Sequence, residues 1–179
     1  MDLNKTLTHL KTYWQEADIS EHSWFVGRIL NEMPNFKVYC VKPKSKNIYL
    51  YVSHGISDSF NSEFFFISPQ KSEKLIENLA MLASFSLKYP KEFQIGNVID
   101  IGQPWIKNSS MKLILISLPY PYGQSFEYDG NGVRYLWLLP IHQNEYDFLL
   151  KNGADALENL FDINEINYLD INRKSVINE

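Results

Sequence analysis

Glu63-Phe64-Phe65-Phe66-Ile67-Ser68 decides how this chain is read. Four large apolar side chains in succession, on a segment too short for a helix, describe a strand buried on both faces, because successive strand side chains point to opposite sides of a sheet. Two more strands lie just upstream. Phe36, Val38 and Cys40 alternate with Lys37, Tyr39 and Val41, residues 43–47 supply turn chemistry, and residues 48–53 run as β-branched and aromatic side chains. A polar loop over 55–62 leads into the third strand. Three consecutive strands of this kind predict an antiparallel meander.

Working outward, Leu3, Leu7, Leu10, Tyr13, Trp14 and Ala17 fall at helical spacing and predict an amphipathic helix over 3–17. Ser72 as N-cap, with Glu73 in the first turn, opens a helix that ends at Tyr89 before Pro90; its leucines and alanines cover more than a narrow stripe, so it packs into the core. Apolar residues 98–101 and 112–118 add strands. Phe126-Glu127-Tyr128 is strand-like, Asp129-Gly130-Asn131-Gly132 tolerates positive φ, and 133–140 is again a strand, which predicts a hairpin with its tip at 129–132. Helices follow over 144–151, stopped by Asn152-Gly153, and over 154–161, while the tail from Asp162 has no period. The expected fold is a single α+β domain whose mixed, largely antiparallel central sheet is flanked by helices, with residues 1–34 a helical segment packed on it.

Composition bounds the function. The 179 residues carry 17 Lys and Arg against 21 Asp and Glu, a net charge of −4 that disfavours a phosphate backbone as partner. Hydrophobic content of 45% excludes a disordered chain, and no apolar run approaches the roughly 18 residues of a membrane span. The single cysteine, Cys40, forms no internal disulfide and reads as a small core residue, and Met1-Asp2-Leu3-Asn4-Lys5 lacks an export signal, so a cytoplasmic protein is expected.

Catalytic and metal patterns fail in turn. Gly123-Gln124-Ser125-Phe126-Glu127 lacks the closing glycine of a nucleophile elbow. His9, His22, His54 and His142 are scattered without ligand spacing, so no metal or cofactor is expected, and Gly130-Asn131-Gly132 precedes a strand rather than opening a phosphate-binding helix. Glu73 and Glu77, one helical turn apart, are read as a solvated face rather than an acid/base pair, and His54 with Asp58 is a conceivable base and orienter for a hydrolase; the competing reading has His54 at a strand end, Gly55 turning the chain and Asp58 bonding loop amides. The aromatic stretch 119–135 sets Tyr120, Tyr122, Phe126, Tyr128 and Tyr135 beside Glu127 and Asp129. Tyrosines beside carboxylates suit a protein interface that selects a basic or amide-rich partner, with core packing as the alternative.

The run Ile48-Tyr49-Leu50-Tyr51-Val52-Ser53-His54-Gly55-Ile56-Ser57-Asp58, the strand from Glu63, the helix near Leu75, and Tyr135-Leu136-Trp137-Leu138-Leu139-Pro140-Ile141 followed by Glu145, Gly153, Ala156-Leu157 and Leu160-Phe161 resemble the suppressor of fused family in its small bacterial form. Asn172-Arg173-Lys174-Ser175-Val176 is similar to that family's Arg-x-Ser-Val ending, and the resemblance spans 35–176. It implies an α+β fold without cofactor or catalytic activity. Eukaryotic relatives grip a short transcription-factor peptide and carry a second domain, whereas the small bacterial members resemble immunity proteins that bind and neutralise a cognate polymorphic toxin. A regulatory adaptor sequestering a peptide of an endogenous protein is the other role considered. The expected partner is therefore a toxin domain, possibly basic, with no nucleic acid or membrane involved. The family supplies no contact map, so Trp105, Tyr122, Glu127, Tyr128 and Asp129 are named as candidate partner-binding residues from their predicted loop and hairpin positions. His142 stands where the family often has Ser or Thr, a weaker cap that is expected to move the next helix start to Asn144.

Overall fold

A computed structural model describes residues 4–24 and 27–177. Seven strands form one sheet in the order β1-β2-β3-β4-β7-β6-β5: β1 Ala17–Ser23, β2 Lys37–Pro43, β3 Tyr49–His54, β4 Ser62–Ser68, β5 Val98–Asp100, β6 Leu113–Ser117 and β7 Arg134–Ile141. The meander β2-β3-β4 is antiparallel as its sequence predicts; β4 and β7 pair in parallel and the remaining pairs are antiparallel. The two-residue period then sorts the core into halves. Phe64, Phe66, Ile114, Ile116, Leu136 and Leu138 face one side, while Phe65, Ile67, Leu113, Leu115, Trp137 and Leu139 face the other. Helices α2 (Arg28–Glu32) and α4 (Glu73–Lys88) cover the first face. On the second lie α1 (Lys5–Tyr13), α6 (Gln143–Asn152) and α7 (Ala154–Ile163). Short helical turns α3 (Ser57–Phe60) and α5 (Gln124–Glu127) complete the α-helices among the described residues, and a 3-10 turn follows α4 at Pro90–Glu92.

Four sequence expectations are corrected. The N-terminal helix stops at Tyr13, and Ala17, expected inside it, begins edge strand β1, so the described part of 1–34 is not only helical: Ala17–Ser23 extends the sheet. Leu3 lies outside the described residues. Part of the polar loop 55–62 winds into α3. The hairpin at 129–132 keeps its turn, with Asp129 N–H donating to Val133 O at 3.0 Å, but its first arm reduces to a single bridge between Tyr128 and Arg134. Residues 124–127 are helical instead, and this turn buries Phe126 among Phe65, Tyr122 and Tyr135 rather than extending the hairpin arm. Finally, α6 starts at Gln143 with His142 as N-cap, not at Asn144: Glu145 Oε2 accepts the His142 N–H at 2.8 Å, and Asn144 is instead engaged with Ser175 and Ile177. Cys40 is half-buried against the core, and burial pushes its thiol up.

The aperiodic tail is held by one buried ion pair. Arg173 Nη1 and Nη2 donate to Glu145 Oε1 and Oε2 at 2.6 and 2.7 Å, and Nη2 also donates to Pro140 O at 3.1 Å. With the His142 N–H, Val176 N–H at 3.1 Å brings the donors to Glu145 to four, and His142 Nε2 donates to Arg173 O at 2.8 Å. The two-pronged geometry and the satisfied lone pairs are what let an ion pair survive at 0% exposure of Glu145. Burial raises the Glu145 carboxyl, but the Arg173 hydrogen bonds and charge, with the His142 and Val176 amides, outweigh it and hold the group below its ordinary 4.5.

Removing one partner strands the other charge, so Arg173→Met is expected to lower the unfolding free energy in urea by about 3–5 kcal/mol. Because the folded-state pKa of Glu145 is depressed, its contribution is complete above the ordinary carboxylate value and is lost as pH falls through the folded one. The stability gap between the parent and Arg173→Met should therefore narrow on acidification; a gap independent of pH would contradict the role given to the pair.

Candidate functional site

An open groove of about 380 Å³ lies on the second face of the sheet. Its floor is apolar because it is built from the inward period of one strand and one helix: Trp137 and Leu139 from β7, with Phe161 from α7. One wall is the turn 119–122, tightened by Tyr122 N–H donating to Pro119 O at 2.8 Å. The other is the chain leaving α7, where Tyr168 meets the Trp137 ring edge-on at 5.1 Å. Glu158 and Asp162 project from α7 one turn apart on either side of Phe161, and Glu165 follows. The groove lining carries these three carboxylates and no Lys, Arg or His.

Glu158 is fixed. Ser117 Oγ donates to its Oε1 at 2.5 Å and Tyr120 OH to its Oε2 at 3.1 Å, which ties the aromatic turn to α7. Burial first, and then the Glu158, Asp162 and Asp155 charges, push the Tyr120 phenol up to about 12. Asp162 and Glu165 are exposed and make no side-chain hydrogen bond or ion pair among the described residues, so their charge faces solvent. Tyr120 is 55% exposed, which leaves aromatic surface at the rim. The Trp137 indole N–H finds no acceptor among the described residues. On its far side the turn is pinned by Tyr13 OH donating to Tyr122 O at 2.9 Å.

The residues named from sequence are distributed differently. Tyr122 is buried edge-on against Trp14 and Tyr13. Glu127, also buried, pairs with Arg134 at 2.6 Å. Asp129 is buried and spends Oδ1 on the Asn131 and Val133 amides at 2.8 and 3.0 Å. Tyr128 alone is exposed, with the Arg134 guanidinium 5.4 Å from its ring centre. Trp105 is not near them: at 1% exposure it sits in the other half of the core, donating to Ser109 Oγ at 3.1 Å. The groove residues Trp137, Glu158, Phe161, Asp162 and Tyr168 were not singled out, although Tyr120 belongs to the flagged aromatic stretch.

A second, polar cleft of about 600 Å³ contains His54 and Asp58. The two share no hydrogen bond: His54 Nδ1 lies 2.9 Å from Thr6 Oγ1, and Asp58 Oδ2 accepts from Asn35 Nδ2 at 3.4 Å. The loop amides expected to bond Asp58 go to fully buried Glu63, which accepts from Gly55 and Ser57 N–H at 2.8 and 3.0 Å and from Ser53 Oγ at 2.5 Å. Gly55 turns the chain at φ +103°, where a Cβ would meet the backbone of Asn35 and Phe36 at 3.1 Å. Burial, followed by the Lys37 charge, pulls His54 down; burial likewise pulls down His9, whose Nε2 donates to Phe126 O at 2.9 Å. Both rings serve to dock α1 on the sheet. Among the described residues no group of His, Cys, Asp and Glu is arranged to hold a metal ion, and no helix is long and apolar enough to cross a membrane.

The chain belongs to the suppressor of fused family: the family model described as suppressor of fused protein (SUFU) matches residues 33–174. A SUFU homolog from Neisseria gonorrhoeae FA 1090 is 46% identical, with a TM-score of 0.94 over 98% of this chain and 97% of that one. The Sufu–Fu complex shares the fold at 11% identity, with a TM-score of 0.66 over 89% of this chain and 83% of that one. No curated protein matches the sequence.

Histidines whose folded-state pKa is lowered favour the neutral ring, so their contribution is full above the unfolded value and is lost as pH falls. The loss of stability between pH 7.5 and pH 5.5, measured by urea unfolding, should accordingly be smaller in the His9→Gln, His54→Gln double variant than in the parent (both values bracket roughly the ordinary histidine range). Equal losses would show that the two rings do not couple α1 docking to pH.

Proposed function

We propose that this chain is a non-enzymatic protein-binding domain that neutralises a cognate toxin by forming a stoichiometric complex. The observation that carries the reading is the groove: a buried apolar floor beneath an exposed aromatic rim, with one carboxylate preset by hydrogen bonds and two left free, is the composition of a recognition surface rather than of a reaction centre. The net charge of −4 favours encounter with a basic partner, a common property of toxin domains that act on nucleic acid. The occurrence of the fold in the Sufu–Fu complex accords with a binding role. For the hydrolase alternative, the separate partners of His54 and Asp58 supply no oriented base.

A second reading, the adaptor that sequesters a peptide of an endogenous protein, is favoured by edge strand β1, whose seven residues pair on one side only and leave a ladder open to an added strand. The two readings differ in partner and in surface.

Co-expression decides between them. A toxin domain encoded beside this chain should arrest growth of a host, growth should return when the chain is co-expressed, and purified mixtures should form a complex of fixed stoichiometry that inhibits at equivalence. His54→Ala should neutralise as well as the parent. Relief of toxicity by a small fraction of an equivalent would indicate turnover and overturn the proposal, as would failure of the chain to bind any such domain.

A further inference from the structure

Resting on the reading that the chain captures a protein, we infer that the groove takes an extended partner segment that presents a lysine or arginine next to a bulky apolar side chain. Three features of the site specify this occupant. Above the buried floor of Trp137, Leu139 and Phe161, half-buried Ile166 and Tyr168 and exposed Tyr120 offer apolar and π surface for one anchor, the kind of side chain that dominates a binding interface. The rim charge is entirely negative, and its three members are not equivalent. Glu158 is consumed by Ser117 and Tyr120 and acts as a strut, whereas Asp162 and Glu165 have no partner among the described residues. Their carboxylates are therefore the ones left for an incoming cation.

The geometry of α7 puts the anchor and the cation side by side. Phe161 and Asp162 are adjacent in sequence, the first directed to the floor and the second exposed at the rim, so an apolar side chain on Phe161 sets a neighbouring cationic stem against Asp162. Glu165 closes the same rim from beyond the helix end, and the exposed Tyr120 ring opposite offers a face for the stem or for a guanidinium plane. An acidic or purely polar segment would be repelled by the rim and would leave the floor uncovered. A purely apolar one would bury the two free carboxylates unpaired.

The test titrates the full-length ¹⁵N-labelled chain with a synthetic capped peptide in which Phe and Lys are adjacent between glycines, reading the Trp137 indole N–H signal assigned by Trp137→Phe. The signal should shift saturably, and binding should weaken with added salt. Replacing Lys by Glu or Phe by Gly should abolish the shift. The Asp162→Asn, Glu165→Gln variant, which alters exposed side chains and should keep the parent's thermal midpoint, should bind roughly fivefold to tenfold more weakly. Equal binding of the Lys→Glu peptide, or an equal response to free argininamide, would overturn the inference. The two proposals fail separately. If the double variant neutralises its toxin undiminished and binds the peptide as tightly as the parent, the groove assignment falls and the toxin reading stands; if the peptide behaves as described and no toxin is ever neutralised, the reverse holds.

Discussion

The Arg173–Glu145 pair is the constraint on which the second face of this molecule depends. The chain after α7 has no hydrophobic period and no ladder to join, so conformational entropy would leave it free. A guanidinium that satisfies a buried carboxylate with two donors, and a β7 carbonyl with a third bond, supplies the tether that burial alone does not. The same guanidinium lies 5.3 Å from the Phe161 ring centre, which joins the tether to the floor of the groove. The wall carrying Ile166 and Tyr168 adds its own packing against the second-face core, with Tyr168 edge-on to Trp137.

From that tether the groove follows by packing. The sheet buries aromatic side chains on both faces, and each face is roofed by helices, which leaves binding surface only where the roof has gaps. On the second face the gap lies between α7 and the 119–122 turn, and Glu158 spans its edge by holding Ser117 and Tyr120. On its other side the turn is clamped by α1 through Tyr13. A surface so braced is set before a partner arrives, which reduces the ordering cost of binding.

The sequence makes much of this fold legible, and the reasons for its silences are physical. Strands β2, β3, β4, β6 and β7 announce themselves because burial on both faces demands uninterrupted apolar runs. Edge strand β1 faces solvent along most of its length and has Ile19 as its one large aliphatic residue, so it leaves almost no pattern. Strand-like propensity over 126–128 does not reveal that Phe126 packs from a helical turn among Phe65, Tyr122 and Tyr135. Burial of Tyr122, Glu127 and Asp129 was equally hidden: aromatic and acidic side chains in a loop look the same whether they face a partner or pack beneath α1. The groove draws on three segments distant in sequence, and its carboxylates Glu158 and Asp162 have the one-turn spacing that solvated helix faces also show. The Arg-x-Ser-Val ending was noticed as a family mark, but its partner, Glu145, becomes evident only in three dimensions.

Hydrogen–deuterium exchange of the full chain, alone and saturated with its captured toxin domain, measures the central claim most directly. Slowed exchange concentrated in 117–122, in α7 and in 164–169, with β1 and the His54 cleft unchanged, is the predicted result. Protection confined to β1, or to the polar cleft around His54, with the groove segments exchanging as in the free chain, would contradict the account.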